Sequence, residues 1–456
     1  MTYAFTFDAS ACSGCKACQV ACKDKNNLPL GVLWRRVYEV SGGSWQEQGD
    51  AWKADVFAYN LTIACNHCVH PKCAGVCPTD AYVVRDDGIV YIDESKCIGC
   101  GYCAWACPYA APQYNPEAGL MSKCNFCMDN IDAGLPPSCV AACPMRVLDV
   151  TEIRDQGIES SNLTLWQLPA TSHPFPLPEY SRTEPHLEIK PHLAMTNTLA
   201  KTVSNQEEVK PGKTKSELPL VAFTLLNQMA AGMAVFSFFS GPLPFSLLVT
   251  IGGLIIASAL VSLLHLGTPL NAWRALNHLK KSWLSREILM FGLFGGSWLV
   301  SLAMPGMGKL PLALCGIGLV HSMAQVYRLR SVPAWDTNRT LLAFTVSALL
   351  LGGLGLEVVN VSVYAVESGE PLMALVVAIG LIVALLLALA EQNQAYKTAG
   401  RLRLGLIGLG LVGTVGMHLV PNTVGRWIVI PIFLIILAEE ALGRWFFYEH
   451  LRQRVL

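Results

Sequence analysis

Four tightly spaced groups of cysteines constrain this chain more than any other feature of its sequence. A [4Fe-4S] cluster has four irons and each iron takes one thiolate, so the sixteen grouped cysteines fit four [4Fe-4S] clusters with none left over. The third group has the spacing of bacterial ferredoxins, in which three cysteines bind one cluster and the fourth binds another. The groups are Cys12, Cys15, Cys18, Cys22; Cys65, Cys68, Cys73, Cys77; Cys97, Cys100, Cys103, Cys107; and Cys124, Cys127, Cys139, Cys143.

Disulfides and zinc are the alternative uses for so many cysteines. Disulfide frameworks are typical of small exported domains, and we expect no export signal here, because the first residues lack a basic region, an apolar stretch and a cleavage site. A zinc site is complete with four ligands, and zinc binding does not explain the prolines that follow Cys77, Cys107 and Cys143. The remaining cysteine, Cys315, lies in an apolar run and is expected to be a small apolar filler.

The segments between the cysteine groups predict short strands. Residues 81–84 and 88–92 alternate in polarity around the turn Asp86-Asp87-Gly88, which is typical of a β-hairpin. Residues 1–150 are therefore expected to form an α+β tandem ferredoxin-like iron-sulfur domain. Residues 151–217 are rich in proline and charge and cannot build a core, so we predict a polar extension over that domain and then a loose linker.

The last domain, residues 218–456, is strongly apolar and raises the hydrophobic content of the whole chain to 52%, more than a soluble protein usually carries. Eight apolar runs are long enough, or nearly so, to cross about 30 Å of hydrocarbon as helices. We predict an all-α eight-helix transmembrane bundle, since backbone polar groups in lipid must be satisfied within their own helix. The runs are 218–239, 244–264, 287–305, 310–327, 340–361, 371–390, 403–420 and 427–447.

The charges of the loops predict the orientation in the membrane. Loops on the same side as the N-terminus carry Arg274, Lys280, Lys281, Arg286, Arg328, Arg330, Arg339, Lys397, Arg401 and Arg403. The opposite loops carry only Lys309 and Arg426 as cations. By the positive-inside rule, both termini and the iron-sulfur domain are expected on the cytoplasmic side of a bacterial inner membrane.

His265 and Glu287 are the candidates for a quinone site. His265 ends the second apolar run and Glu287 opens the third, so one short loop could hold both at the membrane rim. A quinol loses two protons with its two electrons, and a histidine with a carboxylate can accept them. Alternatively, His265 only ends its helix and Glu287 only stabilises the positive N-terminus of the next. The residues alone leave both alternatives open.

Several expected absences define the partners of this chain. It shows no Rossmann glycine fingerprint, no P-loop and no segment typical of a molybdopterin pocket, so reduction of a substrate requires a separate catalytic subunit. No pair of membrane histidines has the spacing of two axial haem ligands, and no haem is expected. The expected partners are that subunit, the lipid bilayer and the quinone pool, with no nucleic acid.

The sequence resembles two subunits of bacterial dimethyl sulfoxide reductases. Residues 1 to about 195 resemble the iron-sulfur subunit through residues 12–18 (CSGCKAC), 65–68 (CNHC), 107–115 (CPYAAPQYN) and 189–191 (IKP). Residues 218–450 resemble the eight-helix anchor subunit through residues 265–272 (HLGTPLNA), 285–288 (SREI) and 443–448 (GRWFFY). The family normally makes these parts as two chains, so their fusion is a departure.

This resemblance implies that the first cysteine group pairs with the fourth and the second with the third. The implied clusters are Cys12, Cys15, Cys18, Cys143; Cys22, Cys124, Cys127, Cys139; Cys65, Cys68, Cys73, Cys107; and Cys77, Cys97, Cys100, Cys103. The family places the last of these nearest the membrane and the first nearest the catalytic subunit. It also favours catalysis for His265, because its anchor uses the matching histidine for menaquinol.

The expected function is therefore the oxidation of menaquinol, with electrons passing through four [4Fe-4S] clusters to a molybdopterin-containing subunit that reduces dimethyl sulfoxide or a similar S- or N-oxide. The respiratory enzyme of enteric bacteria is thought to work on the periplasmic face, whereas the loop charges here point the clusters inward. An alternative is therefore that electrons flow through the same clusters in the reverse direction, from a cytoplasmic substrate such as sulfite to quinone. A non-catalytic redox scaffold is a further alternative, although it has no need of four clusters.

Overall fold

The computed structural model describes residues 2–153, 183–196, 202–204, 218–239, 243–264, 266–364, 371–390, 397–419 and 422–452. The chain divides into two compact units. The first contains Met1–Thr214 and Gly267–Arg274, and the second contains Lys215–Leu266 and Ala275–Gln453. The domain boundaries expected at residues 150 and 217 stay predictions. The structure also shows that segment Gly267–Arg274, which belongs to the anchor by sequence, belongs to the first unit by its contacts.

The strands of the first unit form small sheets and hairpins. In one sheet β1 (Thr2–Asp8) lies between β10 (Leu148–Ile153), which is antiparallel to it, and β11 (Leu187–Lys190), which is parallel. In another sheet β2 (Arg36–Gly42) lies between β12 (Thr202–Ser204) and β5 (Phe57–Ile63), both antiparallel. The hairpins are β3 (Trp45–Gln48) with β4 (Ala51–Ala54), β6 (Tyr82–Val84) with β7 (Val90–Ile92), and β8 (Gln113–Asn115) with β9 (Leu120–Ser122).

The hairpin predicted around Asp86-Asp87-Gly88 is confirmed. Strands β6 and β7 pair antiparallel with Tyr82 opposite Ile92 and Val84 opposite Val90. Gly88 takes a φ of 80° in the connection, a left-handed conformation that glycine adopts without steric cost.

Short helices follow the cysteine loops. They are α1 (Ala17–Lys25), α2 (Lys72–Val76), α3 (Tyr102–Ala106), α4 (Met128–Asp132) and α5 (Ser138–Ala141). Four of them contain cysteines of the groups: Cys18 and Cys22 in α1, Cys73 in α2, Cys103 in α3 and Cys139 in α5. Three of them start after a residue with positive φ, namely Lys16 at 61°, Gly101 at 83° and Cys127 at 48°. The chain therefore turns sharply between a cysteine loop and the helix that follows it.

The core of the first unit corrects one expectation about the polar extension. Phe5 and Phe7 of β1 pack with Phe126, and Leu187 and Ile189 of β11 join the same core. Ile189 is fully buried. The expectation that residues 151–217 contribute no core therefore fails at β11, where alternating apolar residues add a strand to the sheet. Residues 154–182 of the extension lie outside the described residues.

The second unit is helical. Its helices are α6 (Leu218–Phe239), α7 (Phe245–Leu264), α8 (Trp283–Ala303), α9 (Pro305–Tyr327), α10 (Asn338–Val359), α11 (Pro371–Ala390), α12 (Lys397–Leu419) and α13 (Asn422–Arg452). Among the described residues, four spans within α6, α7, α9 and α10, the last extending to Ser362, are long and apolar enough to cross a membrane. The crossing of the other helices, and with it the count of eight, stays a prediction.

Small residues let α6 and α10 approach closely. A Cβ atom at Gly232 would overlap the carbonyl oxygen of Ala348, and one at Gly352 would overlap the backbone of Gly232. Helices in membranes associate through such close backbone contacts, because lipid offers no hydrophobic driving force between them. The contact lies one turn from Gln228 on α6 and close to Ser347 on α10, so it brings these two polar side chains towards each other.

Candidate iron-sulfur and quinone sites

Three cavities in the first unit are each lined by four cysteines. One of about 380 Å³ is lined by Cys65, Cys68, Cys73 and Cys107. One of about 320 Å³ is lined by Cys12, Cys15, Cys18 and Cys143. One of about 300 Å³ is lined by Cys77, Cys97, Cys100 and Cys103. The fold thus gathers cysteines that are distant in sequence into the same three sets that the resemblance implies.

The fourth implied set is gathered in the core. Cys22, Cys124, Cys127 and Cys139 are all buried. The thiol of Cys22 interacts electrostatically with those of Cys139 and Cys127, and that of Cys124 with those of Cys22 and Cys139. These four thiols therefore lie near one another, and that of Cys124 also interacts with Cys65 of a neighbouring set.

The cysteine loops share one backbone conformation. The third residue of the first Cys-x-x-Cys in each group has a positive φ: Gly14 at 67°, His67 at 42°, Gly99 at 65° and Phe126 at 63°. In two of these loops that residue donates its N–H to the first sulfur, from Gly99 to Cys97 Sγ and from Phe126 to Cys124 Sγ, both at 3.4 Å. Such donors stabilise a thiolate and tune the potential of a cluster bound to it.

Burial shapes the chemistry of the cysteines. It raises the pKa of Cys22 to about 12, that of Cys68 to about 12 and that of Cys107 to about 11, because a thiolate loses its hydration inside the fold. Without a metal these thiols hold their protons at neutral pH. Iron binding has to displace those protons, so insertion of a cluster is coupled to the release of protons.

Two buried cations lie beside the cysteines and were not found from the sequence. Arg35 is only 2% exposed, and its guanidinium lies 4.4 Å from the ring centre of Phe5. Lys123 is 3% exposed, lines the cavity of Cys65 and Cys107, and donates to the Cys124 carbonyl oxygen at 3.0 Å. A buried charge is costly unless it is paired. The sequence did not indicate that these two cations lie near cysteines, because the cysteines in question are distant from them along the chain.

Segment Gly267–Arg274 binds the third cysteine loop within the first unit. The N–H groups of Gly267 and Thr268 both donate to the carbonyl oxygen of Ile98, at 3.1 and 3.3 Å. The Thr268 hydroxyl donates to the Cys97 carbonyl oxygen at 3.2 Å, and Arg274 donates to the carbonyl of Ser95. The segment therefore covers the loop that carries Cys97 and Cys100.

The two candidate quinone residues have different outcomes. His265 lies outside the described residues. Glu287 is buried in α8 at 4% exposure, and the N-cap of that helix is Ser282, whose hydroxyl accepts the N–H of Ser285 at 3.5 Å. Glu287 is not in the first helical turn, so stabilising the helix start does not account for it. Tyr327 on α9 interacts electrostatically with Glu287.

A buried polar network extends through the second unit. Arg444 on α13 donates to Gln228 Oε1 at 3.1 Å and to the Ser347 hydroxyl at 3.4 Å, with its guanidinium 3.8 Å from the ring centre of Phe344. The Ser347 hydroxyl in turn donates to Glu440 at 2.6 Å. The structure thus joins Gln228 and Arg444, which lie 216 residues apart in the sequence, in one network.

Glu439 and Tyr327 also have buried partners. Glu439 pairs with Arg403 at 2.9 Å. The Tyr448 hydroxyl donates to the Tyr327 hydroxyl at 2.5 Å. Since Tyr327 also interacts with Glu287, buried polar groups connect α8, α9 and α13.

Comparison with known families gives two matches along the chain. Residues 56–153 match the family described as a 4Fe-4S dicluster domain. Residues 212–449, more than half of the 456 residues, match the family described as DMSO reductase anchor subunit (DmsC).

Similar proteins cover the N-terminal part. One chain of the anaerobic dimethyl sulfoxide reductase of Escherichia coli (strain K12) is 46% identical over 190 residues, which are 42% of this chain and 89% of that protein. A probable anaerobic dimethyl sulfoxide reductase chain of the same strain is 44% identical over 209 residues, 45% of this chain and 98% of that protein. One subunit of the tetrathionate reductase of Salmonella typhimurium is 39% identical over 155 residues, 34% of this chain and 59% of that protein.

Proposed function

The chain belongs to the DMSO reductase anchor subunit family, with an iron-sulfur subunit of the same complexes fused ahead of the anchor, and from this premise we propose that it connects a membrane quinone to a molybdopterin-containing catalytic subunit. It is a membrane-integral electron-transfer subunit of a reductase complex.

Four [4Fe-4S] clusters are proposed, bound by the four cysteine sets. The observation that carries the proposal is that three cavities are each lined by one complete set. A single metal ion does not need such a cavity, and among the described residues no three His, Cys, Asp or Glu side chains are arranged around one ion. A bound cluster supplies a one-electron carrier. The chain would hold such a cluster by its cysteine sulfurs and donates backbone N–H groups to two of them, Cys97 and Cys124.

Menaquinol is the proposed electron donor, with His265 and Glu287 as the groups that take its protons. Loss of two electrons from a quinol releases two protons, and a site that accepts them speeds the reaction. Glu287 supports this role because it is a buried carboxylate that the helix start does not need. Tyr327 interacts electrostatically with Glu287 and accepts a hydrogen bond from Tyr448, so further polar groups adjoin this carboxylate.

The proposed topology has eight transmembrane helices, with the iron-sulfur part on the cytoplasmic side of a bacterial inner membrane. The loop charges support it, since cations are concentrated in the loops on the N-terminal side. This orientation gives specific support to a second candidate function, in which electrons from a cytoplasmic substrate such as sulfite flow to quinone.

The substrate is a property of the catalytic partner. The similar proteins belong to dimethyl sulfoxide and tetrathionate reductases, which shows that related electron-transfer subunits serve different substrates. Dimethyl sulfoxide or another S- or N-oxide is proposed for this chain, since the anchor also matches that family.

The test compares His265→Arg and Glu287→Gln with the wild-type complex in membranes. Both variants are expected to lose quinol oxidation, on the order of 100-fold or more for a missing proton acceptor, while dithionite still reduces every cluster. Glu357→Gln is the matched control, because Glu357 is another buried carboxylate of the second unit, on α10. Unimpaired quinol oxidation in both variants would contradict the site, and clusters that no quinol reduces would favour the scaffold.

A further inference from the structure

Arg35 is a buried cation whose neighbours are cysteines of two different sets. Its largest electrostatic interactions are with the thiols of Cys139, Cys124, Cys18 and Cys22. Cys18 belongs to the set of Cys12, Cys15 and Cys143, whereas the other three belong to one set with Cys127. The guanidinium therefore lies where two proposed clusters adjoin.

The guanidinium has donors that the protein itself leaves unused. Within the described part of the chain, its Nε and Nη2 atoms are buried and have no hydrogen-bond partner. Its Nη1 donates to the Thr62 hydroxyl at 3.3 Å. A buried guanidinium without a counter-charge is strongly unfavourable, so a negative group beside it is expected.

Thr62 extends the influence of Arg35 to one sulfur. The Thr62 hydroxyl lies 3.5 Å from Cys18 Sγ. Because this oxygen accepts from Arg35, its own proton is free to point at the sulfur of Cys18 when that sulfur is a thiolate. The positive charge and the hydrogen bond then act in the same direction.

We propose that Arg35 is the counter-charge of the two clusters bound by Cys12, Cys15, Cys18, Cys143 and by Cys22, Cys124, Cys127, Cys139, and that it raises the reduction potential of both, acting on the first also through Thr62. A cluster bound by four thiolates is negative and gains one more negative charge on reduction. A fixed cation in a low-dielectric interior stabilises the reduced form more than the oxidised form. Net charge and hydrogen bonds to sulfur are known determinants of cluster potentials.

The effect is expected to be confined to two of the four clusters. The four thiols with the largest electrostatic interactions with Arg35 all belong to the sets of these two clusters. Arg35 is a positioning residue for charge and touches no substrate. This inference rests on the proposed cluster binding, but not on the quinol site.

The test is a mediator-controlled redox titration of the full chain in membranes, followed by electron paramagnetic resonance, with iron content measured on the same samples. Arg35→Met is expected to lower the potentials of two cluster signals and leave the other two unchanged, whereas Arg35→Lys stays close to wild type. Arg85→Met is the matched control, because Arg85 is a partly exposed arginine already paired with Asp132 at 2.6 Å. Full iron with four unchanged potentials in Arg35→Met, or equal shifts in both methionine variants, would overturn the proposal.

If the Arg35→Met chain fails to bind two clusters, the Thr62→Val chain provides the test of the proposal. This variant keeps the positive charge and removes the hydrogen bond to Cys18. A lowered potential of the cluster at Cys12, Cys15, Cys18 and Cys143 supports the proposal, and an unchanged potential overturns it. Chemical mediators reduce the clusters without quinol, so loss of quinol oxidation leaves this test intact, while a wild-type chain without iron would instead refute the proposed function.

Discussion

Substitution of Gly267 by alanine tests how segment Gly267–Arg274 holds the third cysteine loop. A Cβ atom at this position would overlap the carbonyl oxygen of Gly119, which is backbone and cannot swing away. The segment then has to lift, which breaks the hydrogen bonds of Gly267 and Thr268 to Ile98 and of Thr268 to Cys97, at 3.1, 3.3 and 3.2 Å. At about 1 kcal/mol each, the loss is about 2–3 kcal/mol.

That loss shifts the equilibrium between the bound and the lifted segment by about 30- to 150-fold. The expected result is an altered resonance signal from the cluster at Cys77, Cys97, Cys100 and Cys103 and a slower reduction of that cluster by quinol, with the other three signals unchanged. Gly292→Ala is the matched control, since a Cβ atom there meets nothing within 4 Å. A Gly267→Ala chain with the wild-type signal and rate would refute this role of the segment.

Three further predictions concern the cysteine sets and two buried groups. Cys100→Ser is expected to abolish one cluster signal and lower the iron content by about a quarter, counting four equal clusters; loss of all signals would contradict separate cysteine sets. Arg444→Met removes the buried hydrogen bonds to Gln228 and to the Ser347 hydroxyl, so thermal unfolding in detergent should show a loss of about 2–4 kcal/mol, and an unchanged midpoint would contradict the network. Burial lowers the pKa of His186, so the neutral imidazole stabilises the fold fully above the pKa of about 6.5 that histidine has in the unfolded chain, and this stability is lost as the pH falls below that value. The unfolding midpoint should therefore decrease from pH 7.5 to pH 5.5, and it should decrease less in His186→Gln.

Features set by local spacing could be predicted from the sequence. The hairpin of β6 and β7 follows from alternation and one Asp-Gly turn within a dozen residues. The four cysteine groups indicate iron-sulfur chemistry because ligand spacing is a local property. Long apolar runs likewise indicate helices, although α8 begins at Trp283 and α9 at Pro305, before the apolar runs, because a charged residue such as Arg286 or Lys309 interrupts an apolar run without ending a helix.

Features that join distant residues could not be predicted in this way. Strand β11 pairs with β1 across about 180 residues, and four consecutive residues give little indication of that partner. In the sequence Arg35 looks like an ordinary surface arginine, and only the fold places it among cysteines from different groups. Segment Gly267–Arg274 reads as a membrane loop, and only its bonds to Ile98 assign it to the iron-sulfur unit.

The central claim is that quinol passes electrons into the clusters of this chain. Its most direct test is electron paramagnetic resonance of membranes containing the chain, treated with a menaquinol analogue with and without a quinol-site inhibitor. Multiple [4Fe-4S] signals that appear with the quinol and are suppressed by the inhibitor are the expected result. Intact clusters that dithionite reduces but quinol does not would contradict the claim and leave His265 and Glu287 with structural roles.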